Sequence, residues 1–202
     1  EMDWKTNMAE LGGAFMVSWL VLGEMGDDGN MLMAGLLLAV TMAAMAGAHV
    51  LPMFTWISAM TGDIQDTDAW MNNGMRLVFQ VVGACIAALL MAEGGDVSAN
   101  ADIETWAFDL WGSEESAMDG AVMMLAAGAL MGAIASRCEG WMTAFAVVAL
   151  AGALGAGVDG ASMMAGELLG SGDIVAGLSH WIVDGVVIGL GAMLGGMLDE
   201  QL

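Results

Sequence analysis

The chain has 202 residues, 58% of them hydrophobic and only 13% charged, with three basic residues and a net charge of −21. Soluble domains run nearer half apolar and about a quarter charged, so this composition points away from an ordinary soluble domain and towards a membrane protein. The charge argues against nucleic acid and anionic surfaces as partners.

A helix needs about 20 mostly apolar residues to cross a bilayer. Taken in chain order, apolar stretches near that length predict six spans, at 8–24, 31–50, 74–93, 117–136, 141–157 and 178–198. The start does not read as a signal peptide, because Glu10 interrupts the apolar run and no small-residue cleavage site is convincing. Two shorter helices are expected to begin near Pro52 and Met164; proline suits a first helical turn, where its missing N–H has no partner to lose. Connections at 24–30, 62–73 and 94–115 are acidic and polar, and the last carries Trp106 and Trp111, residues enriched at the headgroup level. Cys85 lies in an apolar segment and Cys138 in a short loop, which makes no disulfide framework.

The basic residues suggest a topology. If the N-terminus is cytoplasmic, so are the connections after spans two and four. Lys5, Arg76 and Arg137 fall at those three places, in line with the positive-inside rule, and six spans return the C-terminus to the same side. The chain also reads as two related halves of a single domain, about 1–97 and 98–202. Glu10 precedes Gly47-Ala48 by 37 residues, and Asp119 precedes Gly160-Ala161 by 41. Three spans per half force the second half to be inverted, and inverted repeats place a site near the midplane between broken helices.

Two runs carry a resemblance: Gly47-Ala48-His49-Val50-Leu51-Pro52-Met53-Phe54-Thr55 and Gly160-Ala161-Ser162-Met163-Met164-Ala165-Gly166-Glu167. They resemble the two Asn-Pro-Ala loops of the aquaporin (major intrinsic protein) family, without either asparagine and with Glu167 at the arginine position. Glu10-Leu11-Gly12-Gly13-Ala14-Phe15, Gln80-Val81-Val82-Gly83-Ala84 and His180-Trp181 are similar to that family's first, third and sixth helices. The resemblance covers nearly the whole chain. It implies an all-α membrane fold of six transmembrane helices and two re-entrant half-helices in an inverted repeat. It further implies a homotetramer in the lipid bilayer, with water or small solutes as the passing molecules.

In that family each asparagine caps a half-helix and donates to the solute. Here Leu51-Pro52-Met53 and Met164-Ala165-Gly166 stand at the two midpoints, and neither Leu51 nor Met164 can cap or donate. The helix N-termini keep their partial positive charge, but the midpoint is more apolar, and dewetting is one way such a constriction shuts. Counting from the family pattern puts the outer filter at Met31, Gly152, Ala161 and Glu167. That set is wide and acidic. Glu167 reads either as a pore-lining carboxylate that attracts cations or as an acid stabilised in the first turn of its half-helix.

The remaining polar residues have structural readings beside functional ones. The resemblance makes Glu10 and Asp119 acceptors for N–H groups of the re-entrant loops, although acids inside a membrane are functional candidates by default. His49 reads as a packed histidine or a pH gate, and Gln80 as a bridge between helices. Asp159 and Asp184 read as an acidic mouth or as solvated acids. The 22 methionines suggest soft-metal binding only weakly, since no His/Cys cluster accompanies them. No metal site, cofactor or enzyme activity is expected. Three functions follow: a passive channel for water or small uncharged solutes, a cation-permeable channel with Glu167 in the filter, and a non-conducting membrane protein that kept the fold.

Overall fold

The computed structural model describes residues 3–25, 29–92, 114–154, 160–170 and 174–199, and leaves the side chains of 114–119, 152–154, 176–177, 179–180 and 199 aside. All its regular structure is helical. α1 (Trp4–Met16), a π-helical turn (Val17–Val21) and α2 (Leu22–Met25) run on as one helix of 22 residues. There follow α3 (Met31–Ala44), α4 (Pro52–Thr61), α5 (Thr67–Met91), α6 (Glu114–Arg137), α7 (Gly140–Leu154), α8 (Gly160–Leu169) and α9 (Ile174–Asp199).

Among the described residues, four helices are long and apolar enough to cross a membrane: Trp4–Met25, Thr67–Met91, Gly120–Arg137 and Trp181–Leu198. The second expected span is shorter than read, and residues 155–157 of the fifth lie outside the described residues. α3 stops at Ala44, where Gly47 takes a φ of +93° that breaks the helix. Its 14 residues reach about 21 Å at 1.5 Å per residue. The third span starts earlier than read, because Asp66 caps α5 by accepting from the Asp68 and Ala69 N–H groups. Residues 67–73, expected in a loop, are therefore helical.

The helices pack in a regular set of pairs: α1 with α5, α6 with α9, α3 with α7, α4 with α9 and α5 with α8. Small residues set these approaches, as they do where helices associate in lipid. A Cβ on Gly83 would run into the Leu11 carbonyl of α1, and one on Gly191 into the Leu125 carbonyl of α6. Contacts advance together along α1 and α5 (Glu10 with Arg76 and Gln80, then Leu11 and Phe15 with Gly83), so those two helices run parallel. α6 and α9 also run parallel, Leu125 meeting Gly191 and Ala129 meeting Gly195. α4 lies parallel to α9, with Trp56 against Gly185 and Met60 against Gly189. The main core joins Val17, Val21, Leu38, Val50, Leu51, Met124, Met131 and Val147 around this arrangement.

Candidate functional site

α4 and α8 are ten residues each, too short to cross a bilayer, and they meet at their starts. A Cβ on Gly160 would lie 3.7 Å from Pro52 Cγ. Both N-termini, with their partial positive charge, thus point at one region in the middle of the bundle.

The approach to α4 is held by a buried carboxylate. Glu10 on α1 is fully buried and accepts four hydrogen bonds. Its Oε1 takes the His49 backbone N–H at 2.6 Å and Arg76 Nη1 at 3.1 Å. Its Oε2 takes the Val50 N–H at 2.8 Å and Gln80 Nε2 at 2.7 Å. With two donors on each oxygen, no room is left for a proton, so Glu10 is the carboxylate. Hydrogen bonds to a charged group contribute about 1.5–3 kcal/mol each, and the ion pair with Arg76 offsets the cost of burying the charge.

Turning two successive N–H groups onto one carboxylate takes the chain out of helical geometry. Gly47 has φ +93° and Val50 φ +68°; the latter is a genuine outlier for a β-branched residue. Val50 is held there because its side chain seats on α1 at Gly13, where a Cβ would come within 2.8 Å of Val50 Cγ2. Glu10 and Gly13, one turn apart, thus grip the backbone and the side chain of the same residue. Arg76 Nη1 also reaches the Gly47 carbonyl at 3.4 Å. Beyond this grip, Gln80 Nε2 donates to Thr55 Oγ1 at 3.0 Å, and Thr55 Oγ1 lies 3.1 Å from His49 Nδ1.

The midpoint residues are closed off. Leu51 is 1% exposed and Met164 4%, with Pro52, Met53, Ala165 and Gly166 buried beside them. Leu51 stands at the N-cap of α4 and makes no side-chain cap bond.

The second half departs from expectation. α8 begins at Gly160, four residues before Met164, so the Gly160-Ala161-Ser162-Met163 run is helix and not an extended lead-in. One correction follows. Glu167 is the eighth of ten residues and sits in the last turn, where the helix dipole disfavours a negative charge; its Oε2 is buried and has no hydrogen-bond partner. Ala161 and Ala165, one turn apart, pack on Ala84 and Cys85 of α5. Met31 heads α3 and is 45% exposed; α3 packs on α7, whereas α8 packs on α5 and α9. The surroundings of Gly152, Asp119 and His180, and the whole of Asp159, lie outside the described residues. Counting out from the matched contacts Leu11–Gly83 and Leu125–Gly191 puts Met124 in register with Glu10.

Sequence reasoning used Arg76 only as a topology marker. Its spacing of four residues before Gln80 puts both on one face of α5, and that was a usable signal. Thr55 carried no comparable signal. A cavity of about 520 Å³ opens elsewhere, between the ends of α4, α6 and α9. The hydroxyls lining it, Thr61 and Ser136, donate to carbonyls of their own helices, Ile57 and Ala133. Among the described residues no group of His, Cys, Asp and Glu is placed to hold a metal ion. No family model, no curated protein and no solved structure matches the chain.

Proposed function

We propose that this chain is an aquaporin-like membrane channel for water or small uncharged solutes, built as an inverted repeat with α4 and α8 as re-entrant half-helices. The observation that carries the reading is the meeting of α4 and α8 at Pro52 and Gly160. The packing pairs support it. Exchanging α1 with α6, α3 with α7, α4 with α8 and α5 with α9 returns the same set of pairs. The directions support it too. α4 runs against α5, since Thr55 near its start lies at Gln80 and its end leads straight into the start of α5. α4 is parallel to α9, so α5 and α9 oppose each other, as inversion requires. Two helix N-termini facing one point disfavour cations there. In this reading the N-terminus, Arg76 and Arg137 are cytoplasmic, and the protein is a homotetramer.

A second reading is favoured by the burial of Leu51 and Met164: a non-conducting membrane protein with the same fold. One experiment separates the two. Proteoliposomes are tested by stopped-flow light scattering with water and glycerol gradients, beside planar-bilayer conductance of the same preparation. Flux above empty liposomes without current is the expected result. Replacing both midpoints, Leu51→Asn with Met164→Asn, is expected to raise water flux about fivefold or more, the worth of one recovered hydrogen bond. Silence from the folded native protein and from the double variant alike would favour the second reading. Cation-selective current would instead point to Glu167.

A further inference from the structure

The hydrogen bonds around Glu10 set the direction of a chain that ends at His49. All four acceptor positions of the Glu10 carboxylate are occupied by donors, so Gln80 must present its Nε2 to it. Nε2 carries a second hydrogen, which goes to Thr55 Oγ1 at 3.0 Å. Gln80 Oε1 is left buried without a partner, consistent with an amide whose orientation is dictated from the carboxylate side.

Thr55 Oγ1 is then an acceptor from Gln80 and must place its own hydrogen. Three other threonines in the helices, Thr41, Thr61 and Thr143, donate to the carbonyl four residues back. Thr55 makes no such bond among the described residues. The Leu51 carbonyl, four residues before it, already takes the Phe54 and Thr55 N–H groups. The remaining acceptor within reach is His49 Nδ1, at 3.1 Å. A nitrogen that accepts carries no hydrogen, which puts the ring hydrogen on Nε2. His49 is half-buried, and Nε2 has no partner among the described residues and is not sealed from the surface.

We propose that the chain Glu10–Gln80–Thr55–His49 fixes His49 as the neutral Nε2–H form, and that this N–H is the donor offered to the oxygen of a small uncharged solute. The second part rests on the channel reading above. It supplies, on the His49 side of the midpoint, a donor that Leu51 and Met164 cannot provide. A fixed N–H donor, with the Arg76 guanidinium bonded to the neighbouring Gly47 carbonyl, suits a neutral oxygen acceptor and not a cation.

The test uses protein with ¹⁵N-labelled histidine in liposomes. The chain has two histidines, and His49→Gln assigns the signals. Solid-state NMR of the native protein should show His49 with a protonated Nε2 and a bare Nδ1. Thr55→Val removes the hydroxyl at nearly constant shape, and Nδ1–H signal should then appear, while Thr55→Ser should restore the native pattern. A native His49 protonated on Nδ1, or a pattern unmoved by Thr55→Val, overturns the proposal. For the solute, His49→Leu should lower flux about fivefold, one hydrogen bond's worth, and His49→Gln, which keeps a donor, should recover most of it. Flux unchanged by His49→Leu overturns the donor role. The predicted NMR pattern in a native protein that passes nothing upholds the hydrogen-bond chain and ends the channel reading instead.

Discussion

Gly83 on α5 and Gly191 on α9 each let a helix sit on a carbonyl of its parallel partner, Leu11 in one half and Leu125 in the other. Counting out from these matched contacts, Glu10 corresponds to Met124 and Gln80 to Ile188, all four buried. The first half has a carboxylate and an amide where the second has a thioether and a branched alkane. The two runs that open with Gly-Ala differ in conformation. Gly47 to Val50 is drawn out of helical geometry by two N–H bonds to Glu10. Gly160 to Met163, which begins with the same Gly-Ala pair, lies inside α8. At the first pair Glu10 draws these backbone groups away from helical bonding. A shared motif thus takes its conformation from a partner more than 30 residues away in sequence.

The strongest way to break this comparison is to make the first half like the second. Glu10→Met removes one partner of a buried ion pair and orphans two backbone N–H groups, and should cost about 3–5 kcal/mol. Denaturant unfolding in lipid bicelles measures it. Adding Arg76→Met should return part of the loss, because the guanidinium no longer faces an empty place; a double-mutant cycle isolates that coupling. A loss below about 1 kcal/mol for Glu10→Met would mean that the carboxylate does not anchor the segment.

What the sequence made legible follows the same divide. Pro52 marked the start of α4 because proline carries its own conformational instruction. The start of α8 was misplaced at Met164 by carrying the frame of the first run onto the second. The residue that decides the first outcome, Glu10, lies 39 residues before His49 and carries no local sign in that run. Asp119 was read as the counterpart of Glu10 because an acid in an apolar stretch is conspicuous, and its side chain lies outside the described residues. Glu167 was read in a first turn for the same reason of frame, and moved to the last turn once the helix began at Gly160. The early end of α3 was hidden by an apolar flank that hydropathy does not distinguish from helix.

The same substitution at the two Gly-Ala pairs sharpens the comparison. Gly47 has φ +93° and open space around a Cβ, so Gly47→Ala meets no clash and only the conformational cost, about 1–2 kcal/mol. Gly160 heads α8, and a Cβ there would touch Pro52 at an ordinary 3.7 Å. Gly160→Ala should stabilise slightly, by about 0.5 kcal/mol, through helix propensity. The two changes should move the unfolding midpoint in opposite directions. Equal shifts would show that the two Gly-Ala pairs have one conformation, and would remove the distinction drawn from Glu10.

The smallest expected effect tests whether burial is what gives the Glu10 anchor its strength. Asp3 does a similar job at the surface: it caps α1, accepting from the Lys5 and Thr6 N–H groups and from the Thr6 hydroxyl at 2.6 Å. The Thr6 hydroxyl first, and then its backbone N–H, hold the Asp3 carboxyl below the usual aspartate range. A folded-state value below the unfolded one means that this stabilisation is complete above the unfolded value, about 3.9, and is lost as pH falls through the lowered one. Asn30 caps α3 in the same way through Leu32 and Met33, but its amide does not titrate. Acidification below pH about 4 should therefore increase opening of the first turn of α1 while leaving that of α3 unchanged, once exchange rates are corrected for their intrinsic pH dependence. Hydrogen exchange at the Thr6 and Met33 amides measures the difference, and Asp3→Asn should abolish it. Parallel behaviour of the two amides would mean that the exposed cap contributes nothing, and that a carboxylate anchors backbone in this protein only where the core, as at Glu10, keeps water from competing.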